Sequence, residues 1–255
     1  MRNVLVTGGG KRIGRAIAET LAGKGWGVAV HYKGAAEDAA EVVAGIEADG
    51  GRALCVKADL ENEDEVRAMF AAAATGLGGL CAVVNNASVF IGDDVLSEGR
   101  TVWDQHMAVH VRVPFVLSQE LLKHLGDKGA LDKMGAVINI VDQRVLNPSK
   151  HFYSYTLSKM SLWDQTQVLA RAMAPHVRVN AVGPGPVLPS TRQSDEDFER
   201  QALQTPLQRA VDPREIADAV AFLLDASSVT GQIIAVDSGQ HLNWAHETEE
   251  TSPRE

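Results

Sequence analysis

The chain has 255 residues, 45% hydrophobic and 22% charged, with 23 Gly and 9 Pro, a composition that excludes disordered and fibrous classes. Its 33 Asp and Glu outnumber 24 Lys and Arg, and the net charge of −9 has the wrong sign for gripping nucleic acid or an anionic membrane. No apolar run approaches the roughly 18 residues of a membrane span, and Val4-Leu5-Val6 leads directly into glycines without the apolar stretch of a signal peptide. A cytoplasmic protein is therefore expected. Cys55 and Cys81 lie in apolar runs and read as small buried hydrophobes, which suits a reducing compartment.

Short Val/Ile-rich runs alternate with helical periodicity along the chain. Strands are expected at Asn3–Thr7, Gly27–Tyr32, Arg52–Lys57, Ala82–Asn85, Ala136–Val141, Arg178–Val182 and Gln232–Val236. Helices are expected at Arg12–Gly23, Ala36–Ala48, Glu61–Ala74, Arg100–Leu125, Tyr153–Met173 and Pro213–Leu224, with Pro114 kinking or breaking the fourth. That alternation predicts an α/β fold with a doubly wound parallel sheet of about seven strands. With no composition break before Trp244, one domain over residues 1–244 is favoured, followed by an acidic, frayed tail at 245–255.

The first strand runs into Thr7-Gly8-Gly9-Gly10-Lys11-Arg12-Ile13-Gly14 and then a helix. Glycines at a helix N-terminus let a pyrophosphate approach backbone N–H groups and the helix dipole, so the turn reads as a dinucleotide site; a plain tight turn is the alternative. The second strand ends at His31-Tyr32-Lys33, where an NAD-binding chain usually carries an acidic residue for the ribose. With no carboxylate there to repel a 2′-phosphate and a lysine to pair with it, NADPH is favoured over NADH, a solvated lysine being the plainer reading.

Four motifs in order resemble the short-chain dehydrogenase/reductase family: this turn, Asn85-Asn86-Ala87 after the fourth strand, Tyr155-x-x-x-Lys159 on a helix, and Pro184-Gly185 after the sixth strand. The resemblance spans Asn3 to about Asn243 and implies a single-domain Rossmann-like fold. It also implies a nicotinamide cofactor held by Gly8, Arg12, Ile13, Gly14, Asn86, Ala87, Ser88, Tyr155, Lys159, Pro184 and Gly185, with Asp59-Leu60 at the adenine. A homodimer or homotetramer built on the helices at 100–125 and 153–173 is implied as well. Asp237-Ser238-Gly239 resembles the family's C-terminal Asp-Gly-Gly segment.

Three departures narrow the resemblance. Arg12 stands for the middle glycine of the turn, Ser88 for the glycine of Asn-Asn-Ala-Gly, and Asp142 for the catalytic serine thirteen residues before the tyrosine. Together with Phe90 these resemble the pteridine reductase branch, where the arginine and serine bind pterin and cofactor, the phenylalanine stacks on the pterin, and the aspartate joins the Tyr/Lys pair. His110 replaces the tetrad asparagine and, with Gly239-Gln240-His241-Leu242, resembles bacterial dihydromonapterin reductases.

The chemistry is consistent with that substrate class. Tyr155 and Lys159, at i and i+4, share a helix face, and a nearby ammonium lowers a phenol pKa from about 10. Tyr153 has Leu157 in the corresponding place. An ionised Asp142 opposes the oxyanion of carbonyl reduction unless protonated, yet suits a pterin ring, which presents N–H and amino donors. Arg12, Ser88, Phe90, Asp142 and Tyr155 are thus the candidate substrate contacts; Asp142, Tyr155, Lys159 and His110 are the candidate catalytic set. Plainer readings exist for several: a core phenylalanine, a loop-capping aspartate, a solvated arginine, and a satisfied helix histidine in place of a proton relay. No metal spacing is found, His241 and His246 being incidental. The rival functions are a carbonyl or hydroxyl oxidoreductase and a non-catalytic NADPH-binding sensor.

Overall fold

The computed structural model describes residues 2–97, 99–127, 129, 135–190 and 193–242. The acidic tail expected at 245–255, together with Trp244 and His246, lies outside the described residues. Seven strands are seen: β1 Asn3–Val6, β2 Gly27–Tyr32, β3 Arg52–Lys57, β4 Ala82–Asn85, β5 Gly135–Ile140, β6 Val177–Pro184 and β7 Ile233–Val236. They form one parallel sheet in the order β3-β2-β1-β4-β5-β6-β7. Chain order reverses between β1 and β4, and in open parallel sheets this switch opens a crevice beyond the C-terminal strand ends.

The strands read as unbroken apolar runs because helices cover both faces. Successive side chains alternate between two cores: Val4 and Val6 pack with α1 (Arg12–Gly23), α2 (Ala36–Ala48) and α8 (Pro213–Asp225), whereas Leu5 packs with α3 (Glu63–Leu77) and α5 (Val113–Asp127). Strand β3 lies at the sheet edge and exposes Arg52, Cys55 and Lys57. The expectation of a buried Cys55 is therefore corrected: its neighbours in sequence are apolar, but on an edge strand its side chain is left uncovered. Both cysteines are free thiols.

Helix boundaries follow their caps. Asn62 accepts from the Asp64 and Glu65 N–H groups at 3.1 and 3.4 Å, which starts α3 at Glu63 instead of Glu61. The helix expected at Arg100–Leu125 is in fact α4 (Thr101–Met107), a π turn at Ala108–Arg112, and α5. Pro114 cannot donate to the His110 carbonyl and crowds it, and the turn immediately before it widens. The segment after Gly185, for which periodicity predicted no helix, contains α7 (Asp195–Leu203), opened by a Ser194 hydroxyl that accepts from Asp197 N at 3.1 Å. The remaining long helix is α6 (Tyr153–Ala172).

Leu121 is fully buried on α5. Leu121→Ala should cost about 2–5 kcal/mol, whereas Asp212→Ala, which breaks the capping box of α8, should cost about 1 kcal/mol. Urea denaturation of both variants checks the ranking, and equal losses would contradict it.

Candidate active site

The C-terminal ends of β1 and β4 are laced together at the switch point. Thr7 Oγ1 accepts from the Asn86 and Ala87 N–H groups at 2.9 and 3.0 Å, and Asn86 Nδ2 donates to the carbonyls of Thr7 and Gly8 at 2.9 and 3.2 Å. Gly8 has φ +62°, and a Cβ on Gly14 would lie 2.1 Å from Gly8 O. Only a backbone without side chains closes this turn. Arg12 also has φ +52°, the left-handed conformation that a glycine at this position adopts without strain. Its guanidinium donates to Leu188 O at 3.1 Å and Pro189 O at 2.9 Å, tying the turn to the segment beyond Gly185.

A cavity of about 430 Å³ lies over the turn. Gly8, Arg12, Ile13, Gly14, His31, Lys33, Asp59 and Leu60 line it, with Asn86, Ala87, Ser88 and Phe90 on the far wall. Tyr32 does not join them; it packs against the core. His31 lies beneath the turn, its Nδ1 accepting from Gly8 N at 2.9 Å and its Nε2 facing Ala58 O at 3.2 Å. Burial lowers its pKa, so the ring is neutral. Lys33 is not isolated from carboxylates: Asp59 and Glu61 reach it at 2.9 and 3.1 Å from the end of β3. The expectation of a carboxylate-free corner is corrected, since contacts between neighbouring strand ends are invisible in a linear reading. Lys11, which sequence reasoning overlooked, also lines this cavity and pairs with Asp38 at 2.9 Å.

A second cavity of about 270 Å³ shares Arg12, Ile13, Asn86, Ser88 and Phe90 with the first and is completed by Asp142, Tyr155, Lys159, Pro184 and Gly185. The segment after Gly185 closes one side with Leu188, Ser190, Phe198 and Gln201. Tyr155 donates its hydroxyl to Asp142 Oδ2 at 2.9 Å. Asp142 Oδ1 accepts from Arg144 N at 2.9 Å, so the carboxylate also caps the 3₁₀ turn that follows β5. Lys159 Nζ donates to Ile140 O at 2.9 Å and lies 5.8 Å from the Tyr155 ring centre. Burial pushes the Lys159 ammonium down to about 8, with Asp142 opposing the fall. Tyr153, the tyrosine without a lysine partner, is exposed.

Phe90 stacks on Phe152, ring centres 4.2 Å apart and 10° from parallel, and meets the Tyr155 edge at 4.7 Å. Phe152 was not foreseen; nothing in its local sequence distinguishes it from a core residue. The Arg144 guanidinium lies 5.4 to 6.0 Å from the Phe152, Phe90 and Tyr155 ring centres. It too escaped sequence reasoning, although its place two residues after Asp142 was a usable signal. His110 lines neither cavity: it is buried, and burial with help from Lys159 and His106 puts its pKa well below 6.5. Among the described residues no His, Cys, Asp and Glu group could hold a metal, and His241 pairs with Asp237 at 2.7 Å.

Comparison with known proteins follows the same lines. A family model described as "Enoyl-(Acyl carrier protein) reductase" matches residues 9–241. Dihydromonapterin reductase of Citrobacter koseri is 34% identical over 94% of this chain and 96% of its own length. 3-oxoacyl-[acyl-carrier-protein] reductase FabG of Staphylococcus aureus is 33% identical over 94% and 98%. The crystal structure of FolM Alternative dihydrofolate reductase 1 from Brucella canis complexed with NADP superposes with a TM-score of 0.91 at 45% identity, covering 98% of this chain and 97% of that one. The corresponding Brucella suis protein in complex with NADP gives 0.92 at 45% identity, covering 98% of each. With four motifs in order, the parallel seven-stranded sheet and these relatives in agreement, the chain belongs to the short-chain dehydrogenase/reductase family, in its pteridine-reductase-like branch.

Proposed function

We propose that the protein reduces a dihydropterin, of dihydromonapterin or dihydrobiopterin type, to the tetrahydropterin with NADPH. The observation that carries this reading is the 2.9 Å hydrogen bond from Tyr155 to Asp142 beside a buried Lys159. The first cavity fits a dinucleotide: its glycine turn leaves no room for a Cβ at Gly14, and Lys11 and Lys33 stand at its rim. Lys33 exchanges its carboxylate partners for the 2′-phosphate, and Ser88 and Phe90 serve both cofactor and substrate. NADPH, when bound, supplies the hydride.

The chain's own residues manage the proton and the ring. Tyr155 delivers its hydroxyl proton to the ring nitrogen that becomes N–H, and Lys159 stabilises the resulting phenolate. Asp142 orients Tyr155 and accepts from ring donors, which an oxyanion-forming carbonyl substrate would not offer. Phe90 contributes an aromatic wall, backed by Phe152, and stacking adds about 0.5–1.5 kcal/mol beyond area burial. Arg12 steadies the Leu188–Pro189 segment over the substrate cavity. A cytoplasmic homodimer or homotetramer, joined through the helical run at 101–127 and α6, completes the proposal.

Mixing the protein with NADPH and 7,8-dihydrobiopterin or dihydromonapterin should oxidise the cofactor, and Asp142→Asn and Tyr155→Phe should each lower turnover with modest loss of NADPH binding. Unchanged turnover in both variants removes the proposed site; ketone reduction without pterin activity transfers the function to carbonyl substrates. Lys33→Ala should weaken NADPH by about tenfold while leaving NADH unaffected, read from binding titrations. With burial drawing Lys159 down to about 8, the ammonium is present below that pH and lost above it, so kcat/KM, which reports the free protein, should fall as pH rises through about 8. A rate that stays level to pH ~10, where an unperturbed lysine titrates, would break that link.

A further inference from the structure

The sequence leaves His110 between a proton relay and a satisfied helix histidine and gives His106 no role; the geometry bears on both. We propose that His106 and His110 are paired positioning residues: two neutral imidazoles that fix the Ser88–Ile91 segment, and with it Ser88 and Phe90, against α6 and beside Tyr155. His106 Nε2 accepts from Ile91 N at 3.3 Å, and its Nδ1 meets Ser154 Oγ at 2.7 Å. His110 Nε2 accepts from Val89 N at 3.1 Å and lies 3.0 Å from Ser88 Oγ; its Nδ1 meets Ser158 Oγ at 2.8 Å. A backbone N–H can only donate, so each Nε2 is unprotonated and each neutral ring carries its proton on Nδ1, donating it to a serine. Ser158 Oγ donates onward to Tyr155 O at 2.7 Å.

The spacing explains why two histidines are used. Four helical residues rise about 6 Å, and two extended residues span about 6.6 Å, so His106/His110, Ser154/Ser158 and Val89/Ile91 come into register as two rungs. The two rings stack 5.5 Å apart at 17° and present themselves to the Tyr155 ring at 5.8 and 5.5 Å. Asp93 adds a third tie: its carboxylate accepts from Ser154 N at 3.1 and 3.2 Å, and its carbonyl from Tyr153 N at 3.2 Å. Both histidines are buried, so a broken rung removes the acceptor of a part-buried backbone N–H.

The His110 ring nitrogens meet Val89 N, Ser88 Oγ and Ser158 Oγ, Ser158 donates to Tyr155 O, and the Lys159 ammonium donates to Ile140 O, so among the described residues no hydrogen bond joins His110 to Lys159. The charged and titratable groups around the pair are Lys159 and Tyr155 on α6, Asp93 in the segment after β4, and Asp142 beyond Tyr155. Burial, reinforced by Lys159, keeps both histidines below their ordinary range, and only Asp93 opposes this, at His106. Charging either ring would set a proton on Nε2 against a backbone N–H.

The inference rests on the pterin reading only for what Phe90 contacts. Long-range ¹⁵N NMR of the full-length protein at about pH 7.5 should show two neutral Nδ1–H imidazoles; an Nε2–H tautomer or an imidazolium at either position overturns the proposal. His110→Leu should weaken NADPH about tenfold, and His106→Leu should raise the dihydropterin KM about tenfold with NADPH affinity kept, each loss being that of one buried acceptor. Gln at either position, whose Oε1 can accept from the same N–H, should recover most of the loss. Leu variants without loss, or Gln variants as impaired as Leu, overturn the positioning role. A wild type that binds NADPH but consumes no dihydropterin sinks the substrate reading alone, because the tautomers and the NADPH affinities still decide the clamp.

Discussion

The ammonium of Lys159, removed from water, is the constraint around which the site is built. An isolated buried charge is costly, and a lysine so placed survives only with partners or with a lowered pKa. Here it has both: the Ile140 carbonyl at 2.9 Å, and a pKa drawn down to about 8 against the pull of Asp142. The sheet supplies the first partner because Ile140 ends β5, where the strand no longer needs all its carbonyls for its neighbours. Asp142, two residues on, turns its carboxylate to Tyr155 and its second oxygen to Arg144 N. One strand end thus holds the lysine, orients the tyrosine and starts the next turn.

The cofactor side is built differently, from close backbone approach instead of charge. Gly8 and Gly14 touch the β4 end so tightly that side chains are excluded, and Asn86 fastens the two strand ends with its amide. Arg12 breaks the pattern. A non-glycine residue at φ +52° carries strain of order 1–3 kcal/mol, which persists only where the surroundings impose it. The compensation is visible in its guanidinium, which binds two carbonyls 176 and 177 positions away and couples the turn to the wall of the second cavity. An exchange of glycine for arginine thus trades backbone ease for a long-range tie.

Much of the fold was legible in the sequence because strand and helix periodicities are local. β2, β3, β4, α1 and α2 fall on their expected bounds, and Tyr155 and Lys159 meet Asp142 as their spacing requires. What was illegible depends on contacts between distant segments. Cys55 is exposed because β3 lies at the sheet edge, a fact of strand order. Lys33 meets Asp59 and Glu61 because β2 and β3 end side by side. Phe152 and His106 join the site through packing of α6 against α4, and neither carries a local signal. α7 did carry one, Ser194 followed by three acidic residues, and could have been read as a helix start.

On the proposed reading, the carboxylate of Asp142, standing where the family motif has a serine hydroxyl, is what sets the substrate class. A serine hydroxyl can both donate and accept, so it can stabilise negative charge developing on a carbonyl oxygen; an ionised aspartate can only accept. Asp142 accepts the Tyr155 hydroxyl at 2.9 Å and so aligns the phenol; in its ionised form it would repel an oxyanion in the same cavity. In the proposed reaction a reducible C=N bond flanked by N–H and amino donors removes the conflict, since the proton assigned to Tyr155 quenches the charge that appears on nitrogen. The aromatic pair Phe90 and Phe152 and the nearby Arg144 guanidinium suit a flat, electron-rich heterocycle far better than a flexible acyl chain. In the proposed function, geometry, donor pattern and shape all favour the same kind of ring, and discrimination against carbonyl substrates rests on the repulsion as much as on the contacts.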